Sequence, residues 1–410
     1  MQTQRLTFEG ATGAALSARL ELPVDERPIA YALFAHCFTC SKNFKAAVHI
    51  SRALAQARVG VLRFDFTGLG ESEGEFSETT FSSNVDDLVA AADYMEREWA
   101  APAILIGHSL GGAAVLQAAH RMPACKAVAT IAAPAEPQHV LRHLKSSLDE
   151  IRKCGSAEVM LAGRPFTIKK EFLDDLDRQN MEDRIRTLDR ALLVFHSPAD
   201  AIIGAEDAAQ IYQAAREPKS YVSLEGADHL LSRTEDSQYV GAVIAAWAAR
   251  YLAGPEAAAR EEPVPHGQAV VRTGRTRYHT EILTGGHSLA ADEPESAGGT
   301  DSGPTPWGLL MAALGACTSI TLRMYADRKD WPLDEIGIRL QHRTLKREEQ
   351  SAPGSGPPKT AEIRQTVELE GPLDEAQRER LLEIAHRCPV HRALEAGLLV
   401  PVELSRDDGS

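Results

Sequence analysis

The sequence has few cysteines and no excess of positive charge. Six cysteines in 410 residues are too sparse for a scaffold held together by disulfides. They fit a reducing compartment, in which each thiol either fills space in the core or does chemistry. Lysine and arginine total 44 against 58 aspartate and glutamate, and the net charge of −14 would repel a polyanion. We therefore expect no nucleic acid and no anionic membrane surface among the partners.

Segments that would target or anchor the chain are also lacking. The first residues, MQTQRLTFEGATG, do not place an apolar stretch behind basic residues, so we predict no signal peptide. The best candidate for a membrane span, 303–322, is uncharged but is interrupted by proline, glycine, serine and threonine. This composition predicts a helix buried in a protein core rather than a membrane span. The expected location is the cytoplasm.

Length and pattern predict two domains. Over residues 1–252, short apolar runs alternate with longer helical patterns, which is typical of a mostly parallel sheet covered by helices on both faces. The apolar runs are 29–35, 59–66, 103–107, 127–132, 191–195 and 220–224, and the helical stretches include 44–57, 85–99, 110–122 and 204–215. The segment 134–188 is too long for a normal crossover and is rich in helix formers, which predicts a cap over the edge of the sheet.

The pattern changes after residue 252. The proline-containing stretch 253–268 has no apolar period and predicts a linker. Locally paired strands and segregated helices over 269–410 indicate an α+β domain. Its predicted elements are strands within 269–289, a loop at 291–306, a helix at 307–328, strands at 336–346 and 361–369, and helices at 374–387 and 391–396.

A serine lies at a predicted strand-to-helix turn. Residues 107–111 read Gly-His-Ser-Leu-Gly, after the apolar run AILI and before the helical pattern AAVLQAAH. This is the G-x-S-x-G context in which a sharp turn exposes a nucleophile, here Ser109. The amide of Leu110 would then lie at a helix N-terminus, where it can stabilise an oxyanion. The sequence therefore predicts a serine nucleophile and an α/β-hydrolase fold.

Two later strands end in residues that could activate this serine. Asp200 follows the run ALLVFH, and His229 follows the run ending YVSL. A serine needs a base, and the base needs an acid that orients it. The order Ser109, Asp200, His229 is the chain order of α/β-hydrolases. Asp228 is the rival acid, but its position beside His229 makes the far ring nitrogen hard to reach.

A second oxyanion donor is expected from the loop His36-Cys37-Phe38-Thr39-Cys40, which follows an early strand. We assign it to the amide of Phe38. Because Cys37 and Cys40 form an isolated C-x-x-C, a metal or thioredoxin-like site is disfavoured against simple packing of the loop. One hypothesis remains open, namely that oxidation of this pair distorts the oxyanion loop and stops hydrolysis. In the later turn 63–72, the glycines and Asp65 are expected to serve structure.

Three C-terminal segments carry a family resemblance. HSLAADEP, GPTPWGLLMAALGACTSITLRMYADRKDWPL and LLEIAHRCPVHRALE resemble the OsmC/Ohr family of thiol peroxidases. With its N-terminal half, the chain resembles fused α/β-hydrolase–OsmC proteins. The resemblance implies that Cys317 attacks a hydroperoxide and becomes a sulfenic acid, which Cys388 resolves to a disulfide. It also implies a homodimer and an external thiol reductant, such as a dithiol of the lipoyl type, with no tightly bound cofactor or metal.

The resemblance is incomplete around the thiolate. The family stabilises it with an arginine from an early strand, for which Arg272, Arg275 and Arg277 are candidates and Arg275 is favoured. A family glutamate about ten residues before the first cysteine is missing here, where the sequence reads Pro306-Trp307-Gly308. Glu293 or Glu295 in the preceding loop could substitute for it.

Together these patterns predict a cytoplasmic enzyme of two domains. The first would hydrolyse esters, thioesters or similar acyl substrates, and the second would reduce organic hydroperoxides. The alternative keeps the serine hydrolase but makes the OsmC-like domain a non-catalytic module for dimerisation or thiol-ligand binding. The missing glutamate favours that alternative.

Overall fold

The computed structural model describes residues 2–24, 27–161, 163–252, 264–265, 267–274, 277–345 and 361–404. The chain divides into two compact units. The first comprises the residues up to Gly274 together with Glu281–Leu289, and the second comprises Arg275–Thr280 and the residues from Ala290 onward. Most of the predicted linker lies outside the described residues, as does the favoured arginine, Arg275. The predicted domain boundary at residue 269 stays a prediction.

Strands and helices alternate through the first unit. In chain order the strands are β1 (Gln2–Glu9), β2 (Ala15–Leu22), β3 (Ala30–Ala35), β4 (Val59–Phe64), β5 (Ile104–His108), β6 (Ala127–Ile131), β7 (Ser156–Leu161), β8 (Arg164–Lys169), β9 (Ala191–His196) and β10 (Lys219–Ser223). The helices are α1 (Lys45–Gln56), α2 (Phe81–Glu98), α3 (Leu110–Ala118), α4 (Leu148–Cys154), α5 (Lys170–Leu176), α6 (Met181–Arg186), α7 (Ala205–Ala214) and α8 (Thr234–Leu252). Each predicted strand and helix of this region is present, with small differences at its ends.

Eight of these strands form one sheet in the order β1-β2-β4-β3-β5-β6-β9-β10. The pairs from β4 to β10 are parallel, and β1 and β2 are antiparallel at one edge. The predicted mostly parallel sheet is therefore confirmed. Its antiparallel edge was not foreseen, because β1 and β2 lie before the first continuous apolar run.

Alternate side chains of the central strands pack into two hydrophobic cores, one on each face of the sheet. On β5, Leu105 packs with the cluster that includes α2, α3 and the cap, whereas Ile104 and Ile106 pack with α1 and α8. Because successive side chains of a strand point to opposite faces, a strand buried on both faces reads as a continuous apolar run. This is the physical reason why the apolar runs located the sheet correctly.

The predicted cap is only partly helical. A 3-10 helix (Pro137–Leu144), α4, α5 and α6 flank the antiparallel hairpin of β7 and β8. On β7, Val159 and Leu161 are buried, whereas Met160 is 63% exposed. One face of the hairpin is apolar and packs into the core that contains α2 and α3, and the other face is exposed to solvent.

The C-terminal elements also match their predicted order. They are β11 (Ala269–Thr273), β12 (Thr280–Thr284), β13 (His287–Ala291), α9 (Pro306–Lys329), β14 (Glu335–Thr344), β15 (Ala361–Glu370), α10 (Glu375–Ala385) and α11 (Pro389–Ala396). Strands β11, β12 and β13 form one small sheet, and β14 pairs antiparallel with β15. A compact core joins α9, through Leu322 and Ala326, to α10, through Leu381 and Ile384.

The long helix α9 departs from the prediction of burial. It is long and apolar enough to cross a membrane by length and composition alone. Only 28% of its most apolar 18-residue window is buried in the chain. The expectation of a helix buried in the core of one chain is therefore wrong, because α9 packs on one side against β14, β15 and α10 and leaves its other side exposed.

Candidate active sites

Ser109 occupies a strained turn between β5 and α3. Its backbone has φ 54° and ψ −127°, a conformation that non-glycine residues adopt at a cost. The turn is possible because glycines surround it. A Cβ at Gly107 would lie 2.2 Å from the carbonyl oxygen of Gly111, and one at Gly111 would lie 2.5 Å from that of His36. The turn thus exposes Ser109 while α3 packs against the end of β3.

The structure brings Ser109, His229 and Asp200 into one hydrogen-bonded chain. The Oγ of Ser109 lies 3.0 Å from Nε2 of His229, and Nδ1 of His229 lies 2.8 Å from Oδ2 of Asp200. Each residue follows a different parallel strand, namely β5, β9 or β10, so the three meet at the carboxyl edge of the sheet. With Nδ1 donating to Asp200, Nε2 is free to accept the proton of Ser109.

Asp200 is held as a carboxylate. Burial opposes its ionisation, but the hydrogen bond with His229 and the amides of Ile202 and Ile203 outweigh burial and lower its pKa. These amides donate to Oδ1 at 2.8 and 3.0 Å. The rival Asp228 instead accepts the amide of Ser232 at 2.8 Å, which leaves the Nδ1 of His229 to Asp200.

Buried imidazoles fix the two loops that carry Asp200 and His229. His108 contacts the carbonyl oxygen of His229 through Nε2 at 2.7 Å, and His196 and His139 contact those of Ile203 and Ile202 at 2.9 Å. Burial, followed by the nearby ring of His229, lowers the pKa of His108 to about 3. His108 is therefore neutral and donates through Nε2. The sequence reasoning missed these three residues, although each is a histidine near the end of a strand or in the cap.

The loop after β3 lines the same cavity as Ser109. Phe38 and Leu110 both line the cavity that contains Ser109 and His229. Within the part of the chain that the structure describes, neither backbone amide has a protein acceptor, so both are available to a ligand oxygen. Cys37 and Cys40 are joined by a disulfide. This corrects the expectation that all six cysteines are thiols, and the hypothesis that oxidation of this pair stops hydrolysis stays a prediction.

A buried ion pair fixes the chain directly after the oxyanion loop 36–40. The ammonium group of Lys42 lies 2.5 Å from Asp65, and its backbone amide donates to the other carboxylate oxygen at 2.6 Å. Asp65 also accepts the amide of Glu71 at 2.9 Å, in the turn where Gly68 and Gly70 have positive φ. The structural role predicted for Asp65 and these glycines is consistent with these contacts.

An apolar cavity of about 550 Å³ opens onto Ser109. Besides Ser109, His229 and the oxyanion loop, its walls include apolar residues from the cap and from the loops after β9 and β10, namely Val140, Leu161, Ile202, Ile203 and Leu230. Cavities of this size hold small organic molecules and are usually lined by apolar side chains with a few polar groups. No group of three or more residues among those described is placed to hold a metal ion.

The second unit brings Cys317 and Cys388 together. Cys317 is half-buried on α9, and Cys388 is buried directly before α11. The two thiols interact, and this interaction shifts the pKa of each. Burial raises the pKa of Cys317, and its bond to Cys388 adds to this. For Cys388, burial is outweighed by the hydrogen bonds from Cys317 and from the start of α11, so its pKa is lowered.

Four of the residues proposed from the sequence to support the thiolate lie among the described residues. Arg277 donates to the carbonyl of Gly299 at 2.8 Å, and Arg272 lies on β11. Glu293 and Glu295 lie in the loop before α9. Asp292 organises this loop by accepting from Thr300 and Ser302, and the hydroxyl of Thr300 is the main reason why its pKa is well below the usual range. The sequence reasoning missed Asp292.

Known families match both parts of the chain. A model described as "Alpha/beta hydrolase family" matches residues 32–296, and one described as "OsmC-like protein" matches residues 299–403. The uncharacterized protein YfhR of Salmonella typhi is 28% identical over 234 residues, which cover 56% of this chain and 75% of that protein.

Solved structures match the first part. The esterase domain of a Rhodothermus marinus protein is 54% identical with a TM-score of 0.52, covering 62% of this chain and 100% of that domain. Est1E from Butyrivibrio proteoclasticus, solved with bound ferulic acid, is 19% identical with a TM-score of 0.51, covering 61% of this chain and 100% of Est1E. At that identity the second match shows the fold alone.

Proposed function

Because the chain belongs to the alpha/beta hydrolase family and carries an OsmC domain after its hydrolase domain, as the sequence predicts, we propose that it is a serine esterase joined to a thiol-dependent hydroperoxide reductase. The hydrogen-bonded chain of Ser109, His229 and Asp200, open to an apolar cavity, carries the first half of this proposal. Hydrolysis of p-nitrophenyl esters, with labelling of Ser109 by a fluorophosphonate, tests it.

The proposed hydrolysis follows from the positions of these groups. The Oγ of Ser109 attacks the carbonyl carbon of an ester or thioester, and Nε2 of His229 takes the serine proton. The negative oxygen that forms is stabilised by the amides of Phe38 and Leu110. His229 then gives its proton to the leaving alcohol or thiol, and water removes the acyl group from Ser109 by the same steps. Asp200 stabilises the imidazolium throughout.

The cavity predicts how acyl length affects this reaction. Leu161 lines the cavity, whereas its neighbour Met160 faces solvent. Leu161→Trp should fill part of the cavity and lower kcat/KM for an octanoyl ester by about tenfold or more, with little effect on the acetyl ester, because buried acyl carbons lose their contacts. Steady-state kinetics over a series of p-nitrophenyl esters measure this. Met160→Trp is the matched control, and an equal loss for both chain lengths would contradict the assignment of the acyl site.

The proposed peroxide reduction uses the cysteine pair of the second unit. The thiolate of Cys317 attacks one oxygen of a hydroperoxide, the O–O bond breaks, and the alcohol leaves after taking a proton. Cys388 attacks the resulting sulfenic acid, which releases water and forms a disulfide. An external dithiol, such as one of the lipoyl type, then reduces this disulfide. Access favours Cys317 as the attacking residue, because it is half-buried whereas Cys388 is fully buried.

A second candidate function for the OsmC domain rests on one observation. The pKa of Cys317 is raised by burial and by its bond to Cys388. A thiol of this kind is a poor nucleophile at neutral pH. The alternative is therefore a domain that dimerises or binds thiol ligands without turnover.

We also propose that the chain forms a homodimer through the OsmC domain. Ile320 and Met324, one turn apart on α9 beyond Cys317, are 59% and 60% exposed. The apolar residues of the C-terminal segment 398–404 are exposed as well, Leu399 at 96%. Exposed apolar residues on a helix and in a C-terminal segment of the same unit fit burial against a second copy. We place this dimer in the cytoplasm, without nucleic acid or membrane partners.

Charges on this face should separate the two copies. Ile320→Glu combined with Met324→Glu is expected to reduce the mass in solution from twice 44.5 kDa to 44.5 kDa, because carboxylates would be desolvated in the interface. Analytical ultracentrifugation measures this. Lys329→Glu, an exposed change on the same helix, should leave the mass unchanged. A wild-type protein that sediments as a monomer would exclude the dimer.

A further inference from the structure

We propose that the Cys37–Cys40 disulfide is a redox modification site in the wall of the acyl cavity. A small uncharged dithiol would enter the cavity, reduce the disulfide and thereby slow hydrolysis by loosening the amide of Phe38. The inference rests on the proposed esterase function for its effect on rate. The reduction of the disulfide by a dithiol would take place whether or not the domain is an esterase.

Both cysteines lie where a small molecule can reach them. Cys37 and Cys40 line the same apolar cavity as Ser109 and His229. Cys37 is buried, at 7% exposure, whereas Cys40 is half-buried. Attack by an incoming thiolate therefore occurs at the sulfur of Cys40. The apolar walls favour an uncharged reductant over a charged one, because a charge would lose its water on entry.

The disulfide closes the turn that presents the Phe38 amide. Apart from the disulfide, the carbonyl of Cys37 in this turn contacts two nitrogens, the amide of Cys40 at 3.2 Å and Nδ1 of His36 at 2.7 Å. The ring of Phe38 packs on Phe76 and Phe172, with centroids 5.4 and 5.3 Å apart. Reduction would leave these weaker contacts to hold the amide in place.

The cap contributes one further contact to this turn. Arg164, at the start of β8, donates to the carbonyl of Thr39 at 2.5 Å. The guanidinium group is exposed, so this bond competes with water and cannot replace a covalent link. The disulfide is therefore the covalent part of what fixes the amide of Phe38, and the hydrogen bonds that remain after reduction are why a partial loss of rate is expected. A displaced donor stabilises the developing oxyanion less well, since its geometry must be set before the reaction.

The dithiol alone supplies the electrons and protons that reduction of the Cys37–Cys40 disulfide needs. Its first thiolate attacks Sγ of Cys40, which breaks the Cys37–Cys40 bond and forms a mixed disulfide. Cys37 leaves as a thiolate and takes a proton. The second thiol of the reagent then attacks the mixed disulfide, closes a cyclic disulfide and releases Cys40. Two electrons and two protons pass from the dithiol to the protein.

This inference is the opposite of the hypothesis drawn from the sequence, in which oxidation of the pair stops hydrolysis. The triad hydrogen bonds are intact in the structure in which the two sulfurs are bonded. The oxidised form is therefore the active one, and reduction is the inhibiting step. In a reducing compartment, a disulfide of this kind is usually labile and functional rather than structural. The dithiol that would return the OsmC domain to its active state by reducing its disulfide would therefore slow hydrolysis in the hydrolase domain.

The test uses the full chain in two redox states. The protein is incubated with dithiothreitol or with its oxidised cyclic form, freed of reagent, and assayed on p-nitrophenyl butyrate. N-ethylmaleimide alkylation and peptide mass analysis report the state of Cys37 and Cys40. We expect reduction to lower kcat by about tenfold, less than the roughly 10²–10³ for complete loss of an oxyanion donor. Reoxidation should restore the rate.

Variants separate this pair from the other cysteines. Cys40→Ser should have the low rate under both conditions, and Cys154→Ser, which removes an exposed free thiol, should keep the full response. Resistance of the pair to dithiothreitol would overturn the proposal, and so would an equal rate after verified reduction. If neither form hydrolyses any ester, the esterase function fails, and alkylation alone then decides whether the disulfide is a modification site.

Discussion

Replacing Ser109 with alanine is expected to lower kcat for ester hydrolysis by about 10⁴–10⁶, because no other group can form the acyl-enzyme. The hydroxyl of Ser109 is 3.0 Å from the ring nitrogen that would take its proton, and this ring is oriented by a buried carboxylate. The loss should appear in kcat with little change in KM, since the acyl cavity is unaltered. Steady-state hydrolysis of p-nitrophenyl butyrate measures it.

The same variant tests the chemistry independently of the substrate. A fluorophosphonate probe should label the wild-type chain at Ser109 and should not label Ser109→Ala. Ser223→Ala, at an exposed serine on β10, is the matched control and should keep both activity and labelling. Thermal unfolding should be similar in all three proteins. Residual hydrolysis above a tenth of the wild-type rate in Ser109→Ala would rule out this serine as the nucleophile.

Cys317→Ser is expected to reduce consumption of cumene hydroperoxide in the presence of dithiothreitol to the uncatalysed rate. The attacking sulfur is lost, and a serine hydroxyl is not a nucleophile toward the O–O bond under these conditions. In the absence of dithiothreitol, Cys388→Ser should instead retain one turnover, because Cys317 can still form a sulfenic acid that no second thiol resolves. Dimedone trapping followed by peptide mass analysis should then find the adduct on Cys317.

This comparison also decides between the functions proposed for the second unit. Cys154→Ser should behave as wild type, since this thiol is free and exposed in the cap. Equal peroxide consumption by wild type and Cys317→Ser would favour the binding or dimerisation module. A dimedone adduct on Cys388 in the Cys317→Ser chain, with retained single turnover, would reverse the order of attack. That outcome would follow the lowered pKa of Cys388 rather than its burial.

Sequence reasoning located the sheet and the serine site because both depend on local patterns. Strands covered on both faces read as apolar runs, and the carboxyl ends of parallel strands meet at one edge, so Ser109, Asp200 and His229 could be predicted as neighbours. The β7–β8 hairpin was missed because alternating residues beside helix formers give a weak signal. The supporting histidines were missed because their partners are backbone carbonyls distant in sequence.

The exposure of α9 illustrates a different limit. Composition predicts that an uncharged apolar helix is buried, but it does not say in which chain the covering surface lies. The structure shows that one side of α9 packs within its own unit and that Ile320 and Met324 do not. Arg275, the arginine favoured from the sequence, lies outside the described residues, and Arg277 contacts a loop carbonyl.

The order of amino acids alone predicts the classes of the two domains, the order of the strands along the chain, and Ser109, Asp200 and His229 as a candidate triad. These follow from periodicity and from residue types at strand ends, which are local properties. The folded chain was needed to show that Nδ1 of His229 lies 2.8 Å from the predicted Asp200, and that Cys37 and Cys40, expected to be thiols, are bonded beside the serine. Both depend on distances of a few ångströms between side chains, which spacing along the chain does not specify.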